Sequence, residues 1–379
     1  MQTHQALNDI SEGLQSLHLD PPDCLPFNPS GERHWLRATF NDVPRYLFRV
    51  FTPKSRGATD TIWTRSMDAR GGNPNAGLDI FDRDDKREVA DMLNRHLRWR
   101  KGVDDNLVSW TSSLLFALVY IFHLHANERD RSAFEDICLC VVDTTLFPPG
   151  VFLQDLDLIR AFCAFDKQLA NFENLRLGGL YYFGEYLSQG ALKIEHKCQI
   201  VSAQAMIDQG LYDLQPKFRD FAMWPKAPQP PWAKPVLKLR EEFEKEPRDT
   251  LEVSLEEHLA AKNIADLFGG LWALPVAANL FALRPRRSWD ERILATVRAP
   301  RFTGLSSLPG PACPVAHATR YRRCKRRLLC WEDKDSRSQH VARSATVRRA
   351  YASSLPGFPP GPDERSVKRG PNSGLRSQN

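Results

Sequence analysis

The run Ile137-Cys-Leu-Cys-Val-Val142 constrains this chain more than any other segment. It is an unbroken apolar stretch, followed shortly by Pro148-Pro149-Gly150. It is too short for a helix and has no polar alternation, so it reads as a strand covered on both faces. Other elements must supply that cover, and the flanking sequence offers them. Tyr46 to Phe51 is a β-rich hexamer between Pro44 and Pro53, a strand bounded by breakers. Arg83 to Trp99 carries Val89, Met92, Leu93, His96 and Leu97 at helical spacing and stops before Lys101-Gly102. Leu107 to Trp110 is a short strand. Ser112 or Ser113 then stands ready to cap a helix bearing Leu114, Leu115, Leu118, Val119 and Phe122. A further helix is expected over 156–172, and two or three short strands over 181–203 around Gly190. The fold class is α+β, and the domain is expected to span residues 41–220.

The flanks have a different texture. Residues 1–40 contain Asp20-Pro-Pro-Asp23 and Asn28-Pro-Ser-Gly31 and read as a disordered lead-in. Prolines at 225, 228, 230, 231 and 235 make 221–249 a linker or strap. Residues 250–298 read as a helical appendage. Ser254-Leu-Glu-Glu257 has a capping-box pattern, Gly269 stands at a helix end, and Ser288-Trp-Asp-Glu291 precedes a second helix over 292–297. Beyond it, 299–379 is rich in Arg, Ser, Pro and Gly and reads as a disordered basic tail. That tail holds 16 Lys and Arg against 5 Asp and Glu, leaving 36 against 41 for residues 1–298. The overall charge of +6 therefore belongs to the tail, and any nucleic-acid contact is expected only there, around Arg320-Tyr-Arg-Arg-Cys-Lys-Arg-Arg327. The N-terminus lacks a basic segment followed by an apolar one, and the longest apolar run, Leu114 to Phe122, is well short of the ~20 residues of a membrane span. An intracellular protein, cytoplasmic or nuclear, without membrane attachment is expected.

Several chemistries can be set aside. No GxGxxG, GxxxxGK, HExxH or GxSxG occurs. The eight cysteines include no CxxC; Cys138 and Cys140 on one strand face read as small buried side chains, and His123 and His125 diverge on their helix. No metal site is expected. An arginine, a serine and a glutamate, in three widely separated segments, each sit on or beside an expected strand. Arg49 lies in mid-strand, where a guanidinium fork needs a partner, either a pyrophosphate or a structural carboxylate such as Asp143. Ser109 ends a strand. Glu185 is followed by Gly190 and Leu192, and a fixed carboxylate of this kind stabilises a developing cation.

In that order and with those neighbours, Tyr46-Leu-Phe-Arg49-Val50, Leu107-Val-Ser109-Trp-Thr111-Ser112 and Gly184-Glu185-Tyr-Leu-Ser-Gln-Gly190-Ala-Leu192 resemble the Arg, Ser-Thr-Ser and Glu signature of the cholera-toxin- and pierisin-like mono-ADP-ribosyltransferases. The resemblance implies a split of two small sheets with flanking helices, with NAD bound as substrate between them. It implies Glu185, Ser109 and Arg49 as catalytic residues, and Arg49, Ser109, Trp110, Thr111 and His96 as the residues that contact NAD. There, Ser109 would orient Glu185, and Glu185 would hold the ribose and stabilise the oxocarbenium-like state formed as nicotinamide leaves. Two departures narrow the implication. Trp110 replaces the middle threonine, and Phe183 stands two places before Glu185, where arginine-modifying members carry Glu or Gln. Transfer to a non-arginine acceptor or hydrolysis of NAD is therefore expected, with a catalytically inactive scaffold or interaction protein as the alternative. The segments 46–218, 268–275 and 281–285 also resemble an uncharacterised domain family of filamentous fungi, which implies no activity.

Overall fold

Among the residues that the structure, a computed structural model, describes, strand pairing divides nine strands between two antiparallel sheets. In chain order these are β1 (Tyr46–Phe51), β2 (Ala58–Thr59), β3 (Trp63–Arg65), β4 (Leu107–Thr111), β5 (Cys138–Asp143), β6 (Leu153–Gln154), β7 (Glu185–Gln189), β8 (Ala191–Lys193) and β9 (Cys198–Ser202). The larger sheet has the order β6-β7-β4-β1-β5-β9 and the smaller one β2-β3-β8. The architecture is mixed α+β. The structure describes residues 22–178, 181–245 and 252–283, all within one compact unit, Met1–Pro314.

Gly190 is the hinge between the sheets. β7 belongs to the large sheet and β8 to the small one, with only Gly190 between them. The turn takes φ of 64°, and a Cβ there would lie 2.6 Å from the Ala76 carbonyl oxygen, so a glycine is required on both counts. The chain thus crosses from sheet to sheet within a few residues of Glu185.

The apolar run of β5 is covered on both sides, as its lack of alternation predicts. Leu139 and Val141 join a core with the Leu114–Ala126 helix and the C-terminal helices, while Cys140 and Val142 face Leu47, Val108, Trp110, Leu192 and Ile194 between the sheets. A third cluster packs the helices Lys86–Leu97, Asp155–Phe162 and Lys167–Leu177 against Leu107 and Leu187. Ser113 caps the Leu114–Ala126 helix through the Phe116 amide, and Ser254 caps Leu255–Phe268 through that of Glu257.

Several expectations need correction. Residues 22–40, read as part of a disordered lead-in, are packed: Phe27 and Leu36 are buried in the third cluster, and Gly31–Asp42 is a 3-10 helix. Its three-residue turn is invisible to a search for 3.6-residue periodicity. The single helix expected over 156–172 is two, separated by a 3-10 turn at Cys163–Phe165 and restarted by Asp166, whose carboxylate accepts from the amides of Gln168 and Leu169. The linker read over 221–249 contains the helix Ala233–Lys245, with Pro235 in its first turn, where the missing N–H has no helical partner to lose. Val236, Leu239 and Phe243 of that helix share one core with Ala261, Ile264 and Phe268 of the next and with Leu115 and Leu118. The helix expected over 292–297 and the basic tail lie outside the described residues. No helix among the described residues is long and apolar enough to cross a membrane.

Candidate active site

Arg49, Ser109 and Glu185 meet because of how the large sheet is paired. In β4 and β7, Ser109 stands opposite Leu187 and Thr111 opposite Glu185, so Ser109, Thr111 and Glu185 project from one face. β1 pairs β4 only at Phe48 and Thr111. Arg49, the next residue, reaches into the gap beside that single registered pair: its Nη1 donates to the Ser109 carbonyl oxygen at 2.9 Å and its Nε to Thr59 Oγ1 of the small sheet at 3.1 Å. The guanidinium therefore ties the two sheets together at their split. Asp143, the carboxylate weighed as its partner, pairs instead with Arg45 at 2.9 Å. Among the described residues no carboxylate forms a hydrogen bond or ion pair with Arg49, and burial lowers its pKa.

Ser109 Oγ sits between two partners. Glu185 Oε1 accepts from it at 2.8 Å, and His96 Nε2 lies 2.8 Å away on its other side. His96 lies in the last turn of the helix Lys86–Leu97, and its Nδ1 lies 2.8 and 2.9 Å from the two oxygens of Asp105, which is buried in the loop before β4. Burial opposes a charge on His96, but the carboxylates of Asp105 and Glu185 outweigh it and raise the imidazole pKa. The sequence placed His96 beside Ser109 only by resemblance; Asp105 carried no signal.

The second oxygen of Glu185 is engaged from behind. Arg176, near the end of the Lys167–Leu177 helix, donates Nη2 to Glu185 Oε2 and Nη1 to the Tyr181 carbonyl oxygen, and its Nε lies 2.9 Å from Asp155 Oδ2. Asp155 is fully buried at the start of its helix. Burial pushes its pKa up to about 7, against the pull of Arg176 and with a further push from Glu185. A carboxylate, guanidinium, carboxylate chain thus backs the site. Neither Arg176 nor Asp155 belonged to a recognisable motif, and Arg176 lies beyond the end of the helix expected over 156–172.

An aromatic wall closes one side. Phe183 is buried, stacks on Phe116 at 4.9 Å and meets Trp232 at 5.3 Å. Tyr120 lies 5.7 Å from Phe116, and its hydroxyl pKa is raised by burial and by the charges of Asp130 and Glu185, against Arg49. Trp99, at a φ of 55° unusual for such a side chain, turns its indole onto Tyr120 and Trp232 at 5.2 and 4.7 Å. Arg49, His96, Ser109, Phe116, Tyr120, Trp232 and Glu185 all keep partial solvent exposure.

Two residues expected to contact NAD are built into the fold instead. Trp110 faces the opposite side of β4 from Ser109, 1% exposed between the sheets, with its indole N–H donating to Ser188 Oγ at 3.0 Å. Thr111 is buried, and its hydroxyl donates to the Phe183 carbonyl oxygen at 2.6 Å while accepting from the Ser113 amide. It anchors the turn before Glu185. His123 and His125 bond separate carbonyls, of Pro230 and Ser132, and the described residues hold no cluster of three or more His, Cys, Asp or Glu side chains able to bind a metal. A groove of about 460 Å³ lined by Asp208, Tyr212, Arg219 and Leu259 shares no residue with the cleft.

No curated protein and no solved structure matches the chain. Residues 42–195, the segment that holds Arg49, His96, Asp105, Ser109, Asp155, Arg176 and Glu185, match the family described as a domain of unknown function (DUF7587).

Proposed function

We propose that the cleft between the two sheets binds NAD and cleaves its bond to nicotinamide, passing ADP-ribose to water or to an acceptor other than arginine. The observation that carries this reading is the convergence of Arg49, Ser109 and Glu185, with Ser109 Oγ donating to Glu185 Oε1 at 2.8 Å. A guanidinium without a carboxylate partner favours a pyrophosphate. A carboxylate held by a hydroxyl and a guanidinium remains fixed as charge builds on the ribose, which makes its stabilisation of the cation effective. In the reaction, the C1′–N bond breaks and its electron pair leaves with neutral nicotinamide. A bond forms from C1′ to the nucleophile, and the proton of that nucleophile passes to solvent. Phe183 carries no group to activate an incoming guanidinium, and its ring is buried under Trp232.

The test is nicotinamide release from NAD by the full-length protein and by Glu185→Gln. Loss of the charge is expected to slow release on the order of 10²-fold or more. Equal release from both proteins sinks the reading.

One observation favours a second reading. Arg176 occupies the second oxygen of Glu185, and an ion pair of this kind also suits a fold kept as a non-catalytic scaffold. Calorimetry separates the two, because the scaffold reading expects no heat from NAD with wild type or with Arg49→Ala.

A further inference from the structure

With Glu185 as a carboxylate, the proton inventory around Ser109 has one consistent solution. A hydroxyl has one proton to give. Ser109 Oγ has Glu185 Oε1 on one side and His96 Nε2 on the other, each at 2.8 Å. If the Ser109 proton goes to the ionised Glu185, His96 Nε2 must itself carry a proton and donate it to Oγ. On the other side of the ring, Nδ1 faces both oxygens of Asp105 at 2.8 and 2.9 Å, and a carboxylate only accepts. Nδ1 must then carry a proton as well. Both ring nitrogens face acceptors, and an imidazole meets both only as the imidazolium cation.

We propose that Asp105 is a positioning residue that holds His96 as a doubly protonated imidazolium, so that the Ser109 hydroxyl has Glu185 as the sole destination for its proton. Asp105 is itself fixed: Oδ1 accepts from the Leu107 amide at 3.1 Å, and its own amide donates to Asp68 Oδ1 at 3.0 Å. The ring is therefore aimed along β4 by a carboxylate locked to the backbone at the start of that strand. The charged groups that face His96 are Asp105 from the loop before β4, Glu185 from β7 and Arg49 from β1; the two carboxylates favour the cation and the guanidinium opposes it. The inference concerns the cleft assigned above to NAD, but the hydrogen-bond geometry carries it without reference to a substrate.

The experiment is a two-bond ¹⁵N–¹H spectrum of the histidine side chains of the full-length protein near neutral pH, with His96 assigned by its loss in His96→Gln. Two protonated ring nitrogens are expected for His96 in wild type. In Asp105→Asn, which keeps an oxygen for the Leu107 amide, one nitrogen is expected to move to the position of an unprotonated ring nitrogen at the same pH. A neutral His96 in wild type overturns the proposal, as does an unchanged imidazolium in a folded Asp105→Asn. Should that variant not fold, the wild-type spectrum alone decides. No substrate enters the measurement, so its outcome is separate from that of the nicotinamide assay.

Discussion

Arg176 engages the second oxygen of Glu185, and its sequence context concealed it. Its side chain is 4% exposed and lies between Asp155, which is fully buried, and Glu185. Removing the cation from such an arrangement leaves a buried carboxylate unpaired, which typically costs about 3–5 kcal/mol. Urea unfolding of Arg176→Gln is expected to show a loss of that order. Replacing Asp155 as well removes the stranded charge, so Asp155→Asn combined with Arg176→Gln should lose less than the sum of the two single changes. Strict additivity would show that the two side chains do not interact in solution. Arg49, Ser109 and Glu185 were legible in the sequence because each sits in a short, ordered pattern on or beside a strand. Arg176, Asp155 and Asp105 were not, because a buried ion pair between residues far apart in the chain leaves no spacing to read. Trp110 was misplaced by reading a motif as a unit; the two-residue alternation of a strand puts it on the face opposite Ser109.

At the scale of elements, legibility followed periodicity. β1, β4, β5 and the helices Lys86–Leu97, Leu114–Ala126 and Leu255–Phe268 were all visible, because breakers or caps bound runs with period two or 3.6. The failures share a cause. The 3-10 helix Gly31–Asp42 has another period, the break at Asp166 depends on one capping side chain, and Pro235 looked like a breaker but occupies a helix's first turn. The first of these has an energetic consequence. Leu36 is fully buried against the helices that carry His96 and Arg176. Leu36→Ala is expected to lower stability by about 2–5 kcal/mol, the usual range for a buried leucine. A change below ~0.5 kcal/mol in chemical denaturation, as for an exposed site, would mean that this segment does not pack in solution.

For the whole molecule, the buried titratable groups of the cleft set how stability varies with pH. Asp155 has a folded-state pKa raised from 3.8 to about 7. A carboxyl of this kind binds its proton more tightly folded than unfolded, so its contribution is fully present below about pH 4 and is lost as pH rises towards about 7. His96 has the same sign: its pKa is raised from 6.5, and its contribution is lost as pH climbs above that value through the folded pKa. His123 and His125 have the opposite sign. Burial lowers both, so they contribute above pH 6.5 and lose that contribution as pH falls through their folded values. These terms overlap near neutrality, where the total curve cannot report any one group. The difference between wild type and Asp155→Asn removes the common terms. That difference in unfolding free energy is expected to shrink steadily as pH is raised from about 4 to about 7, because only wild type has the titrating carboxyl. The pull of Arg176 already enters that folded-state pKa, so losing the pair leaves this direction unaltered. A difference that grows with pH over the same interval would mean that Asp155 is ionised throughout. Glu185 would then be backed by a permanent second carboxylate.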